Sequence, residues 1–240
     1  MASEAVVQIH CALVPEGTQP QLTEGASQKV VHLIRHGQGT HNLFAMSFPK
    51  GRLCMCTRGL PGCPYLNDEH FDAHLTLRGR RQATAAGPRL LQTASPPEVV
   101  FVSPLSRTLQ TATIALSKCP NLRVPVIAEE LTRERNGVHP CDKRSAREHV
   151  EATYPTVDFS NIEYGPDPLW TLKRETEDEL AARGKRFFLS LKDRPETTFA
   201  VFSHSSFLYN TITRSFVSDD PNVTRRFETG ESRAVVLTYK

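Results

Sequence analysis

The sequence predicts an α/β fold: a mostly parallel sheet with helices on both of its faces, which makes a three-layer sandwich. Apolar runs of strand length alternate along the 240 residues with segments that have helical periodicity. Strands that alternate with helices usually pair in parallel, because each helix returns the chain across the sheet. No repeat and no shift in composition divides the chain, so residues 1–240 are expected to form a single domain.

The predicted strands begin near the amino terminus. Residues 5–14 alternate partially between apolar and polar, which predicts an added edge strand within an amino-terminal arm of residues 1–28. The later runs are rich in valine, isoleucine and phenylalanine, as buried strands are. They lie at residues 30–34, 98–102, 124–128, 199–202 and 234–239.

Two of the predicted helices have clear start signals. Ser103 is expected to be an N-cap before Pro104, which suits the first helical position, and apolar residues at 105, 109, 112 and 116 then share one face. Thr176 and Glu179 have the spacing of a capping box before a second apolar stripe.

A further helix is expected to start at Leu75 and to end early, because Gly87 precedes a proline that cannot donate a backbone hydrogen bond. Residues 46–74 and 132–167 have no regular period. Both segments follow predicted strand ends, where loops that contact the substrate commonly lie. We therefore expect these two loops to cover the substrate.

Composition limits the classes of partner and the compartment. The formal net charge of +3 is too small to predict a nucleic-acid surface, and no apolar stretch has the length of a membrane span. The amino-terminal segment lacks the basic flank and cleavage site of a signal peptide. The six cysteines are then expected to be free thiols in a reducing compartment. These observations predict a cytoplasmic protein that binds neither nucleic acid nor membrane.

The end of the strand at residues 30–34 has the most informative residues. Arg35 and His36 follow the apolar run directly, and α/β sheets bind ligands beyond the carboxyl ends of their strands. Gly37 and Gly39 are expected to let the backbone turn sharply, approach a ligand and offer free N–H groups to an anion. An arginine beside a histidine suits phosphoryl chemistry, because one binds phosphate oxygens and the other can attack phosphorus.

Three more strand ends repeat this arrangement. Arg107 stands in the predicted first turn of a helix, His204 follows residues 199–202, and an acidic segment with Glu134 follows residues 124–128. Each of these side chains alone has a structural explanation, as a surface arginine, a core histidine or a solvated acid. Four strand ends that each supply a group needed for phosphoryl transfer make a shared site the better hypothesis.

At these positions the chain resembles the histidine phosphatase superfamily, also called phosphoglycerate mutase-like, from about residue 29 to its carboxyl terminus. One further stretch resembles the plant and fungal phosphoglycerate mutase-like branch. The matching segments are residues 33–38 with Asn42, 75–83, 103–108, 203–204 and, for that branch, 137–144.

The resemblance implies a phosphoglycerate mutase-like fold and a reaction without metal or cofactor. His36 would attack phosphorus with one nitrogen while a backbone carbonyl holds the other. Arg35, Arg107, His204 and Asn42 would surround the phosphoryl group. Thr40 and His74 are also expected to bind substrate, His74 at the edge of the pocket.

Glu134 is the expected proton donor to the leaving group, by its match to the family's acidic position. Glu129 and Glu130 remain alternatives, because arginines near Glu134 favour its ionised form.

The sequence does not favour a structural zinc site. Cys54, Cys56 and Cys63 with His70 and His74 could supply ligands, but their spacing fits the usual paired thiolates poorly. Two other histidines have no predicted chemical role: His32 is expected in the core, and His41 either at the pocket border or half-exposed at a helix start.

The leading functional hypothesis is hydrolysis of a phosphorylated small molecule or a phosphoprotein through phosphohistidine. A phosphoglycerate mutase is the second hypothesis, although residues 43–52 lack the Asn/Arg and Gly-Trp tract of true mutases and Trp170 is the only tryptophan. A non-catalytic phosphoprotein-binding module is the third, which would predict loss of His36, Arg107 or His204.

Overall fold

A computed structural model describes residues 7–48, 62–91 and 95–240. Within these ranges the strands form a seven-stranded sheet in the order β4-β3-β5-β2-β7-β1-β6. The strands are β1 (Ile9–Val14), β2 (Gln28–Arg35), β3 (Val99–Val102), β4 (Val126–Ala128), β5 (Thr198–Ser203), β6 (Phe216–Val217) and β7 (Ser232–Tyr239).

The central strands run in parallel, so their carboxyl ends meet at one edge. In β2, Arg35 lies opposite Ser203 of β5, and in β3, Val102 lies opposite both Phe202 of β5 and Ala128 of β4. The exception is β7, which pairs antiparallel with β2 and β1. The predicted amino-terminal strand forms, but it is not the edge, because β6 pairs in parallel outside it.

Helices cover both faces of this sheet, as the three-layer prediction requires. Alternate residues of β2 point to opposite faces. Leu33 joins the core beneath the helices Glu177–Ser190 and Ser205–Ser215, and Ile34 joins the core beneath the helices Leu77–Leu91 and Ser106–Ser117. In the described residues no helix is both long and apolar enough to span a membrane. The helices are α1 (Thr40–Met46), α2 (Leu77–Leu91), α3 (Ser106–Ser117), α4 (Arg147–Thr153), α5 (Glu177–Ser190), α6 (Ser205–Ser215) and α7 (Pro221–Thr224).

Two helices differ from the prediction in the extent of regular structure. Helix α2 does not end at Gly87 but continues past Pro88 to Leu91. A Cβ on Gly87 would lie 2.2 Å from the carbonyl oxygen of Ala115, so this glycine allows α2 and α3 to pack closely. Helix α4 forms within residues 132–167, which were predicted to be irregular.

The predicted cap of α3 is wrong. Leu105 has an extended backbone, so the helix begins only at Ser106, and Ser103 lies outside it. The first N–H, from Ser106, donates instead to the buried carboxylate of Asp72 at 2.8 Å. The capping box of α5 does form as predicted, between Thr176 and Glu179.

Candidate active site at the carboxyl edge of the sheet

His36 occupies the centre of this edge and is 2% exposed. Its Nδ1 lies 2.6 Å from the carbonyl oxygen of Gly37, as the resemblance implied, which makes Nδ1 the protonated nitrogen. Its Nε2 therefore carries the lone pair, and Nε of Arg107 donates to it at 3.3 Å. Burial, together with the charges of Arg107 and Arg35, lowers the pKa of His36 well below its ordinary value. The imidazole is consequently neutral and able to act as a nucleophile.

His204 and Arg35 lie beside His36. The ring centroids of the two histidines are 5.1 Å apart, and Nε2 of His204 is 2.8 Å from the Ser103 hydroxyl. Arg35 donates to the carbonyl of Phe227 at 2.6 Å. Nδ1 of His204 and Nε of Arg35 are buried without a hydrogen-bond partner in the described part of the chain. Both atoms could contact a bound anion.

The guanidinium of Arg107 is completely buried and more fully engaged than the sequence suggested. One of its terminal nitrogens donates to the carboxylate of Asp142 at 2.8 Å, and the other donates to the carbonyl of Cys141. The fork that was expected to bind phosphate thus holds a loop, and Nε is the nitrogen that contacts His36.

Asp142 links this arginine to a second layer of charge. Its other carboxylate oxygen is 3.0 Å from Arg174 and 3.5 Å from Nδ1 of His139. Burial alone would raise the pKa of Asp142, but the hydrogen bond with His139 and the charges of Arg174 and Arg107 hold it well below its ordinary value. Asp142 is therefore ionised beside the candidate site. Asp142 has no predicted role from the sequence, although it lies in the segment that resembles the plant and fungal branch.

Glu134 lies at the amino terminus of α6. Its carboxylate accepts the backbone N–H groups of Arg135 at 3.0 Å and of Ser206 and Phe207 at 3.1 Å. The N-cap residue of this helix, His204, supplies no side-chain hydrogen bond to the first turn. Glu134 supplies the cap instead, and its N–H partners Ser206 and Phe207 stand two and three residues after His204.

The two alternative acids occupy different surroundings. Glu130 is engaged by Arg133 at 3.1 Å and by Arg144 at 2.8 Å, so it belongs to an ion-pair network. Glu129 accepts the N–H of Leu131 at 2.9 Å, and burial raises its pKa.

The turn after β2 does not use its glycines as predicted. The N–H of Gly37 donates to the Thr111 hydroxyl at 3.1 Å, and that of Gly39 donates to the side chain of Asn42 at 3.0 Å, so neither is free for an anion. A Cβ on Gly37 would lie 2.3 Å from the carbonyl oxygen of Gly79 in α2. Gly37 is thus required by helix packing, and side chains must supply the anion contacts.

The remaining predicted binding residues, Asn42, Thr40 and His74, form hydrogen bonds within the segments around the turn after β2 and with α3. Asn42 caps α1 with its oxygen, which leaves its amide nitrogen as the group that could bind phosphate. The backbone of Thr40 donates to the carbonyl of His74. The His74 ring is exposed and lies 2.7 Å from the side chain of Gln110. Substrate binding by these residues stays a prediction.

His41 takes the first of its two predicted positions, beside the site, whereas Tyr65 and His139 were missed. His41 is 5% exposed, with its ring centroid 5.9 Å from that of His36 and 6.2 Å from that of Tyr65. Tyr65 continues this wall to His139, at 5.3 Å between centroids. The sequence gave no signal that distinguishes an inward from an outward histidine in the first turn of α1. The prediction for His32 is confirmed: it is buried and 2.8 Å from the carbonyl of Ser95.

The described residues include one group that could hold a metal ion. Ligand atoms of His139, Cys141 and Asp142 lie within 4.8 Å of one another. However, both oxygens of Asp142 are engaged by arginines, whose positive charge opposes a cation there. Cys63 lies 3.6 Å from His139, whereas Cys54 and Cys56 of the hypothetical zinc site lie outside the described residues.

Comparison with known proteins identifies the family. A family model for branch 1 of the histidine phosphatase superfamily matches residues 65–240. The chain is 33% identical to phosphoglycerate mutase-like protein 1 of Arabidopsis thaliana, over 87% of this chain and 81% of that protein. It is 34% identical to a second phosphoglycerate mutase-like protein of that plant, over 80% and 76%. The alpha-ribazole phosphatase of Shigella flexneri has a similar fold, with a TM-score of 0.52, 21% identity and coverage of 85% of this chain and 89% of that one.

Proposed function

The chain belongs to branch 1 of the histidine phosphatase superfamily, and we propose that it hydrolyses phosphomonoesters through a phosphohistidine on His36. The observation that supports this most directly is the state of that residue. A neutral imidazole has Nδ1 fixed by the carbonyl of Gly37 and Nε2 directed at Arg107. A fixed tautomer beside two buried cations is the arrangement that an attack on a phosphate dianion requires.

In the first step, Nε2 of His36 forms a bond to phosphorus and the ester P–O bond breaks. Glu134 in its protonated form gives its proton to the departing alkoxide. Arg35 and Arg107 would neutralise charge on the non-bridging oxygens, and neutral His204 would donate a hydrogen bond from Nδ1 to one of them. Charge neutralisation and positioning are most of what phosphoryl transfer requires of a protein.

In the second step, a water molecule loses a proton to the Glu134 carboxylate and attacks phosphorus. The bond between phosphorus and Nε2 breaks, which releases inorganic phosphate and regenerates neutral His36. No metal or cofactor takes part in this scheme. The proposed substrate is a phosphorylated small molecule or a phosphoprotein.

The competing function is a mutase, in which the phosphoryl group returns from His36 to another hydroxyl of the substrate. The two Arabidopsis relatives are named phosphoglycerate mutase-like. Against this, residues 43–52 lack the tract that such mutases use to bind the glycerate carboxylate. Hydrolysis is therefore the function we propose, and the mutase is an outcome that the experiment can reveal.

The test compares wild type with His36→Ala on p-nitrophenyl phosphate and on 3-phosphoglycerate. We expect the wild type to release phosphate and to carry acid-labile phosphate after quenching, and the variant to do neither. Replacing one pocket imidazole should leave the thermal unfolding midpoint close to that of the wild type, which controls for misfolding.

Wild-type turnover in His36→Ala would contradict a phosphohistidine mechanism. Isomerisation of 3-phosphoglycerate faster than release of phosphate would identify a mutase instead.

A further inference from the structure

We propose that His41 is a further substrate-contacting residue of this pocket, where it donates a hydrogen bond from a neutral imidazole to a non-bridging oxygen of the phosphate ester. The proposal rests on the function proposed above, because it adds a third histidine to the same site. From the sequence, His41 had two possible positions, the pocket border or a half-exposed helix start, and no chemical role.

The backbone of Gly39 fixes the position of the His41 ring. His41 lies in the first turn of α1, and its ring centroid is 5.9 Å from that of His36. A Cβ on Gly39 would lie 2.6 Å from Nδ1 and Cε1 of His41. The ring therefore packs directly on the backbone of the turn that carries His36, and the absence of a side chain at Gly39 makes this contact possible.

The hydrogen bonding of His41 differs from that of a structural histidine. His32 is 3% exposed, and its Nε2 lies 2.8 Å from the carbonyl of Ser95. His41 is 5% exposed, yet its Nδ1, which lies on the ring edge packed against Gly39, is buried with no hydrogen-bond partner among the described residues. Because a buried polar atom without a partner destabilises the folded state, packing alone does not explain an imidazole at this position.

The charges around His41 suit an anionic ligand. Burial and the charge of Arg107 lower the pKa of His41 well below its ordinary value; Asp142 opposes this shift and Arg35 adds to it. The ring is therefore neutral and has one N–H to donate. Because Gly39 covers Nδ1, the proposed donor to the phosphate ester is Nε2. Nε of Arg35 and Nδ1 of His204 are likewise buried and unpaired in the described chain. Together these atoms point to a ligand with several acceptor oxygens, as a phosphate ester has.

The test uses His41→Phe, which keeps an aromatic ring but removes both nitrogens, and His41→Asn, which keeps a side-chain N–H. Orthovanadate serves as the probe of anion binding, and an alkyl phosphate serves as substrate. We expect His41→Phe to lower kcat/KM and to weaken vanadate binding by about tenfold or more, as expected for loss of a hydrogen bond to a charged group. His41→Asn should recover part of both losses.

The control is His149→Phe on the exposed side of α4, which should match the wild type in both measurements. Thermal unfolding tests for a structural defect, and His41→Phe should keep the wild-type midpoint. If His41→Phe does not fold, the same two measurements are made on His41→Ala and compared with those on His41→Asn.

Wild-type kcat/KM and vanadate affinity in His41→Phe would overturn the proposal. So would equal losses of kcat/KM in the Phe and Asn variants with vanadate affinity unchanged, because that result describes a structural role. If the wild type fails to hydrolyse any ester, the proposed function is wrong, and vanadate calorimetry still decides the role of His41. Weaker vanadate binding by His41→Phe than by the wild type would support the role of His41. Equal vanadate affinity in the two proteins, or no vanadate binding by the wild type, would overturn it.

Discussion

Two groups of buried polar residues lie near the same edge of the sheet and differ in how their atoms are paired. The pocket histidines, His36, His41 and His204, are neutral, and two of them have a ring nitrogen without a partner in the described chain. The loop anchor consists of Arg133, Arg144, Glu130 and Asp167. It is a network of opposite charges that bond directly to one another.

The loop anchor holds the segment that reaches the pocket. Arg133 is completely buried and binds Asp167 with both terminal nitrogens, at 2.8 and 2.5 Å. It also donates to the backbone carbonyl of Asp142 at 2.8 Å, and the N–H of Arg144 donates to Asp167 at 2.9 Å. These bonds fix the loop whose Asp142 side chain contacts Arg107.

This difference indicates which buried polar groups to associate with function. The terminal nitrogens of Arg133 and the carboxylate of Asp167 satisfy each other, although Nε of Arg133 is buried without a partner in the described chain. The effect of this ion pair is on the shape of the loop. Unpaired nitrogens such as Nδ1 of His204 keep their hydrogen-bonding capacity for a ligand. The comparison predicts that substitutions in the anchor change stability first and that substitutions in the pocket change catalysis first.

The largest change in stability is expected from Asp167→Ala. This variant leaves the Arg133 guanidinium buried without its main counter-charge, and breaking a buried ion pair in this way costs about 3–5 kcal/mol. We expect the free energy of unfolding, measured by urea denaturation, to fall by about that amount.

The matched control is the double variant Arg133→Met with Asp167→Leu, which removes both charges and keeps apolar volume. It should recover much of the lost stability, because no uncompensated charge remains. A fall of less than about 1 kcal/mol in Asp167→Ala, the range of a surface pair, would mean that the anchor is not a structural element.

The sequence predicted the strand-end part of the pocket, and the reason is geometric. Arg35, His36 and His204 follow adjacent parallel strands directly, and Arg107 stands in the first turn after the next strand. Because parallel strands end at one edge, order along the chain is enough to bring these residues together. Because the central strands are buried, each is an apolar run in the sequence, and their order along the chain can be recognised there.

The loop-borne part could not be predicted in the same way. The contact of Asp142 with Arg107 joins residues that are 35 positions apart, and it depends on how the loop folds back over the sheet. The same applies to the helix caps. Helices α3 and α6 follow strand ends with extended backbone, so their first N–H groups bond to distant carboxylates, those of Asp72 and Glu134. Local capping signals at Ser103 were therefore misleading.

A smaller and more selective effect is expected from Glu134→Gln. Ser206 and Phe207 donate to different oxygens of Glu134, so glutamine keeps one of these two acceptors, and it cannot supply a proton. Hydrolysis of an alkyl phosphate should fall by about a hundredfold or more, the usual contribution of a general acid. Cleavage of p-nitrophenyl phosphate should fall far less, because nitrophenolate leaves without protonation.

Glu129→Gln is the control, and kcat for both esters is the measurement. Equal losses of kcat on the two esters in Glu134→Gln would assign this residue to positioning of α6 instead of proton transfer. A selective loss in Glu129→Gln alone would identify that residue as the acid.

The smallest effect is expected from Arg107→Lys. This variant tests whether Arg107 acts with the pocket histidines or with the loop anchor. Arg107 has features of both groups, since it forms an ion pair with Asp142 and also donates to Nε2 of His36. Lysine keeps the positive charge, but its single nitrogen cannot replace a planar fork that serves three partners at once. We expect kcat/KM to fall by about tenfold or more, corresponding to roughly 1.5–3 kcal/mol for a hydrogen bond to a charged group.

The companion variant is Arg133→Lys, the same substitution in the loop anchor. None of the described hydrogen bonds of Arg133 reaches a pocket histidine. Arg133→Lys should therefore lower the free energy of unfolding, while the folded fraction of the variant keeps the wild-type kcat/KM. The ratio of the two effects is what distinguishes the groups. If Arg107→Lys lowers stability as much as Arg133→Lys and leaves kcat/KM unchanged, Arg107 belongs to the anchor, and its bond to His36 does not serve catalysis.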